Sequence, residues 1–130
     1  MNITTQWQQD LTFTGITEQG QKITMDGEGK AASPMQLVLM AVGGCSSIDI
    51  VLILKKSRQD VTDCVWDLNA ERAETDPKVF TKIHAHYKIT GNDLKISQVE
   101  RACQLSMEKY CSVALMLTGK VEISHSFEII

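Results

Sequence analysis

The chain has 130 residues, the length of one domain. Its 43% apolar and 22% charged residues exclude a disordered tail, a collagen-like repeat and a multi-span membrane protein. Thirteen Lys and Arg against sixteen Asp and Glu leave a net charge of −3, so no basic field gathers phosphate and nucleic acid is not an expected partner. Four cysteines with no Cys-x-x-Cys pair build neither a disulfide framework nor a zinc ribbon. The stretch from Met1 to Trp7 lacks the basic and apolar regions of a signal peptide, which makes a reducing cytoplasm the expected location. Cysteines kept there are packing residues or redox chemistry.

Residues 1–26 read as three short strands: Ile3, Thr5 and Trp7 alternate with polar neighbours, residues 11–17 are rich in Thr and Phe, and residues 21–26 follow a turn at Gly20. After a small polar loop, Ser33-Pro34 is a helix start, Ser as N-cap and Pro at the first helical position. Residues 35–54 are apolar on nearly every face. Such a run is long enough to span a bilayer, but Gly43, Gly44, Ser46, Ser47 and Asp49 favour a buried central helix. The charged stretch from Lys55 to Asp60 ends it.

Residues 61–74 and 78–90 read as two longer strands. In the second, Val79, Thr81, Ile83, Ala85, Tyr87 and Ile89 share one face, and Lys82, His84, His86 and Lys88 the other. A second helix over residues 96–117 places Val99, Cys103, Met107, Tyr110, Cys111 and Ala114 at helical spacing, and Gly119 stops it. Residues 121–129 alternate again as a final strand. The order is βββαββαβ, an α+β class, read as one domain over residues 1–130.

Two cysteines stand out because small residues surround them: Gly43, Gly44, Ser46 and Ser47 near Cys45, and Ser112 and Ala114 near Cys111. Small neighbours let a second helix or a small substrate approach a thiol. If the two helices pack side by side, the thiols fall within disulfide reach. Spacing alone leaves open whether they are a redox pair or buried packing cysteines.

The run from Ser33-Pro34-Met35-Gln36 to Gly43-Gly44-Cys45 resembles the helix bearing the first cysteine of the OsmC/Ohr family, and Lys109-Tyr110-Cys111-Ser112-Val113-Ala114 resembles its second-cysteine motif. The resemblance covers essentially the whole chain and points to the YhfA-like branch. It implies an OsmC-like fold with curved antiparallel sheets around two central helices, in an intertwined homodimer with sites at the interface. It further implies an organic hydroperoxide reductase of oxidative-stress defence, with Cys45 attacking peroxide, Cys111 resolving, and a dithiol or lipoyl-type reductant. No cofactor and no metal are implied. The alternative is a non-catalytic relative that binds a small hydrophobic or thiol ligand in the interface pocket.

The sequence departs from that family in its activating groups. The family's peroxidases hold the thiolate with an arginine from the N-terminal strands and a glutamate just after the helix-opening proline. Here the glutamate position is Met35, its polar neighbour is Gln36, and the only cations before Ala32 are Lys22 and Lys30. A free thiol is only slightly ionised at neutral pH, so Lys22, Lys30, Gln36 and Glu108 are the candidates to support a thiolate. Asp49, one helical turn beyond Cys45, opposes ionisation.

Other features read as structural. His84-x-His86 has the i, i+2 spacing of a strand chelate, but two ligands are few and Lys82 and Lys88 flank them, so the face is expected to be solvated. His125 shares a face with Val121, Ile123, Phe127 and Ile129 and reads as a core or interface residue. Cys64 and Cys103 read as packing residues. The loop from Asp26 to Lys30 lacks the Gly-Lys-Ser/Thr end of a phosphate loop, and no Ser-His-Asp set is readable.

Overall fold

A computed structural model describes all of residues 1–130, in two compact units, Met1–Met40 and Ala41–Ile130. The first unit is an antiparallel meander of β1 (Ile3–Gln9), β2 (Thr12–Thr17) and β3 (Lys22–Asp26). Thr and Ile suit its pleat, and Trp7 pairs with Phe13 across β1 and β2. Asp10 (φ 45) and Gly20 (φ 87) make the two turns in left-handed backbone. Every residue of β1 is exposed, and Asp26 is the only buried residue of the unit. The Asp26 carboxylate accepts from Thr12 Oγ1 at 2.5 Å and from the backbone N–H groups of Glu28 and Lys30 at 2.7 and 3.0 Å. These bonds, the Thr12 hydroxyl first, hold its pKa below the usual carboxylate value and fix the loop that follows.

Helix α1 (Pro34–Lys56) starts at a capping box: Ser33 Oγ accepts from the Gln36 N–H, and Gln36 Oε1 accepts from the Ser33 N–H. It is long and apolar enough to cross a membrane by length and composition alone. Within this chain it buries Val42, Gly43, Ser46, Ile50 and Leu54, while Ile48 and Leu52 stay exposed at 64% and 51%.

In the second unit β4 (Asp60–Arg72), β5 (Phe80–Asn92) and β6 (Glu122–Ile129) form a sheet in the order β4-β5-β6. β4 and β5 are antiparallel, whereas β6 runs parallel to β5, so the expectation of wholly antiparallel sheets is corrected at this pair. A parallel partner requires a crossover, which the helical segment after β5 provides. Ile83, Ala85, Tyr87 and Ile89 are buried as the alternation requires. The pattern changes at the start of β5, where Phe80 is buried and Val79 exposed. A bulge sets Arg72 opposite Phe80 but Glu71 opposite Lys82, leaving Thr81 unmatched and reversing the faces before it.

The core joins Ile50 and Leu54 of α1, the inner face of β5, and Val99, Ala102, Cys103, Met107, Cys111 and Ala114 of the crossover. The Trp66 ring of β4 lies so close to α1 at Gly43 that a Cβ there would meet it at 2.4 Å. Only glycine permits that approach.

The crossover is not the single helix expected over residues 96–117. It divides into α2 (Ile96–Leu105), a π-helical turn (Ser106–Tyr110) and α3 (Ser112–Leu117). The Cys111 N–H donates to Ser106 O at 2.7 Å, a one-residue-longer ring than the α-helix closes. Cys111 itself is extended (φ −68, ψ 102).

Candidate active site

The break in the second helix is where the chain sets its second conspicuous cysteine. As N-cap of α3, Cys111 accepts the Ala114 N–H on its sulfur at 3.4 Å, and its thiol lies 4.0 Å from the Val42 carbonyl of α1. Cys45, one helical turn beyond Val42, is half-buried and faces it closely enough to act on its ionisation. Both thiols are free. Burial pushes the Cys111 thiol up to about 11, and Cys45 adds to that, while the N–H of Ala114 opposes it.

A buried hydrogen-bond network holds the elements that bring the two sulfurs together. Tyr87 of β5 donates its hydroxyl to Ser46 Oγ at 2.5 Å, and Ser46 donates on to the Val42 carbonyl at 2.8 Å. From the π-helical turn, Ser106 Oγ reaches the Ser46 carbonyl at 2.9 Å and Asp49 Oδ2 at 3.3 Å. Sheet, first helix and crossover are thus tied at the residue next to Cys45. Burial raises the Tyr87 hydroxyl well above its ordinary pKa, keeping it a donor. Neither Tyr87 nor Ser106 stands out in the sequence: one sits in an alternating strand, and the other in an unbroken helical pattern.

A cleft of about 570 Å³ lies between α1 and the crossover, lined by Asp49, Leu52, Ile53, Lys56, Arg101 and Tyr110 but by neither cysteine. Asp49 lies one turn beyond Cys45, and Tyr110 directly precedes Cys111. Arg101, on α2, is a cation from outside the N-terminal strands.

The four thiolate-supporting candidates stand as follows. Lys22 is exposed on β3. Lys30 pairs with Asp10 at 2.9 Å, and Gln36 makes the capping box of α1. Glu108 is exposed, accepts from Gln104 at 3.2 Å and shares a second cleft with His125. Burial lowers the His125 pKa, against the opposing pull of Glu108. Cys103 is fully buried and pushed up to about 12 by desolvation, and burial also raises Cys64.

The OsmC-like protein family model matches residues 27–126. The chain is 53% identical over 132 residues to Protein YhfA of Escherichia coli strain K12, covering 100% of this chain and 98% of that one. Its fold matches the crystal structure of a hypothetical protein from Aquifex aeolicus VF5 with a TM-score of 0.90 at 33% identity, over 99% of this chain and 95% of that one. An organic hydroperoxide resistance protein OsmC from Legionella pneumophila shares the fold at a TM-score of 0.71 and 17% identity, over 98% and 97% of the two chains. The chain belongs to the OsmC-like family, in its YhfA-like branch.

Proposed function

We propose that the protein is a thiol-dependent reductase of organic hydroperoxides, working through Cys45 and Cys111. The observation that carries this reading is the meeting of the two thiols across α1 and the helix break. Membership of the OsmC-like family supports a redox or stress-related role. In the reaction, the Cys45 thiolate attacks the distal peroxide oxygen, breaking the O–O bond to give a sulfenic acid and an alkoxide that takes a proton to become the alcohol. The Cys111 sulfur then attacks the Cys45 sulfur, the Cys111 proton and the sulfenic hydroxyl leave as water, and a disulfide remains. A dithiol or lipoyl-type reductant restores both thiols by exchange. Lys56 and Arg101, in the cleft between α1 and the crossover, suit a hydroperoxide or reductant that also carries an anionic group.

The homodimer belongs to the same proposal. The exposed Ile48 and Leu52 of α1, with β1 exposed along its whole length, are surfaces that a second copy would cover. Sedimentation equilibrium of the protein should give twice the chain mass.

Consumption of cumene hydroperoxide with a dithiol reductant tests the function. Turnover in the wild type, its loss in Cys45→Ser, and a Cys45–Cys111 disulfide by mass spectrometry after one equivalent of peroxide are the expected results. Turnover unaffected by Cys45→Ser removes the mechanism.

A second reading rests on a specific observation. A Cys111 thiol held near 11 is poorly ionised at neutral pH, and an apolar cleft lined by Ser47, Ile48, Val51, Leu52 and Cys64 lies on the exposed side of α1. Both features suit a non-catalytic protein that binds a small hydrophobic ligand. Such a protein retains ligand binding in Cys45→Ser and shows no peroxide turnover in the wild type.

A further inference from the structure

The face of the second sheet turned away from the core carries a hydrogen-bonded array that the thiol chemistry does not use. His84 and His86 of β5 stand opposite Ser124 and Ser126 of β6. His84 Nε2 lies 2.8 Å from Ser126 Oγ, and His86 Nδ1 lies 2.7 Å from the same oxygen. Two imidazole nitrogens on alternate residues of one strand therefore converge on a single point.

Their other nitrogens are also held. His84 Nδ1 contacts Ser124 Oγ at 2.7 Å, and His86 Nε2 contacts Glu128 Oε1 at 3.1 Å. The Glu128 carboxylate can only accept, so it fixes the proton of His86 on Nε2 and turns the Nδ1 lone pair inward. Ser124, as acceptor, permits the matching tautomer of His84. In that arrangement both inward lone pairs face the Ser126 hydroxyl, which has one proton and serves only one of them. A cation at that point would serve both. The outer partners then act as such groups do in metal sites, where a carboxylate or hydroxyl on the far nitrogen orients each ligating imidazole.

Charge on this face also favours a cation. The flanking lysines are neutralised, Lys88 by Asp67 at 2.6 Å and Lys82 by Glu122 at 3.9 Å. Glu71 and Glu128 on the same face leave it net negative. The repulsion expected from Lys82 and Lys88 is thus offset by their partners.

We propose that His84 Nε2 and His86 Nδ1 form a solvent-facing site for a divalent transition metal such as Ni²⁺, Cu²⁺ or Zn²⁺, with Glu128 and Ser124 orienting the two rings. Rotation of the Ser126 side chain about one bond clears the shared point, and metal–nitrogen bonds of about 2.0–2.1 Å then form. Borderline imidazole ligands select these metals over Mg²⁺ or Ca²⁺. Water completes the coordination, so the site is open and exchangeable rather than structural.

Calorimetric titration of the reduced protein with Ni²⁺ tests the proposal, with Cu²⁺ electron paramagnetic resonance as a second readout. One Ni²⁺ per chain is expected, bound at least tenfold more weakly in His84→Ala and in His86→Ala, and unchanged in Cys45→Ser. Glu128→Gln should weaken binding by about tenfold or more. The Cu²⁺ spectrum should show two coordinated nitrogens in the wild type and one in either histidine variant. Absence of saturable uptake, uptake that survives both histidine substitutions, or uptake lost in Cys45→Ser overturns the site.

Discussion

The hydroxyl of Tyr87 donates to Ser46 Oγ at 2.5 Å, joining the central strand of the second sheet to the residue beside Cys45. Tyr87→Phe keeps the ring and removes this bond together with the 3.0 Å contact of the same hydroxyl to Met107 Sδ, and a buried hydrogen bond contributes about 1 kcal/mol net. Urea unfolding should show a loss of that size. Because the bond also fixes α1 against β5, disulfide formation after peroxide should slow in the variant while the first reaction at Cys45 proceeds at its usual rate.

Gly43→Ala tests the approach of Trp66 to the helix. A methyl group placed 2.4 Å from the ring forces strand or helix to move, at a cost of about 1–3 kcal/mol. Tryptophan fluorescence should shift as Trp66 is displaced. Gly44→Ala, with nothing of its own chain within 4 Å of the added carbon, should leave the fold of the single chain unharmed or slightly stabilised.

Alkaline pH should unfold the protein through its buried thiols. Burial pushes the Cys111 and Cys103 thiols up to about 11 and about 12 in the folded chain, against 9.0 for an exposed thiol in the unfolded one. Above pH 9 the unfolded state therefore releases protons that the folded state keeps, so stability is full below that pH and falls as pH rises toward 11 and 12. Denaturation midpoints measured across pH 8 to 11 should decline, and Cys103→Ala should flatten the decline.

Arg101 should matter for the charge of the substrate. Arg101→Gln should raise KM several-fold for a hydroperoxide carrying a carboxylate while leaving KM for cumene hydroperoxide unchanged. Equal effects on both would place Arg101 outside the substrate's path.

The strands and α1 were legible because their signals are local: Thr-rich alternation in β1 and β2, the Ser33-Pro34 start, and the two-residue period through Ile83, Ala85, Tyr87 and Ile89. Cys45 and Cys111 were legible through their small neighbours and the family resemblance. The π-helical turn was not, since nothing between Ser106 and Tyr110 disfavours a regular helix. What opens the turn is long-range, the Ser106 hydroxyl held by Ser46 of another element. The bulge at the start of β5 and the parallel placement of β6 also depend on partners distant in sequence. Asp49 and Arg101 share a cleft only after α1 and α2 pack, so spacing along the chain could not pair them.

The parallel pairing of β6 also bears on how the sheet is completed. β5 acquires its antiparallel neighbour through a short connection, but its other edge stays open from Asn92 until Glu122 arrives. During that interval the ladder groups of its core strand are available to any other extended chain, the condition under which sheets aggregate. Closing a connection of this length is also slow relative to a hairpin. A chain cut within α3 should therefore lose more than its last strand: it should leave the strand that carries Tyr87 as an unguarded edge, and precipitate.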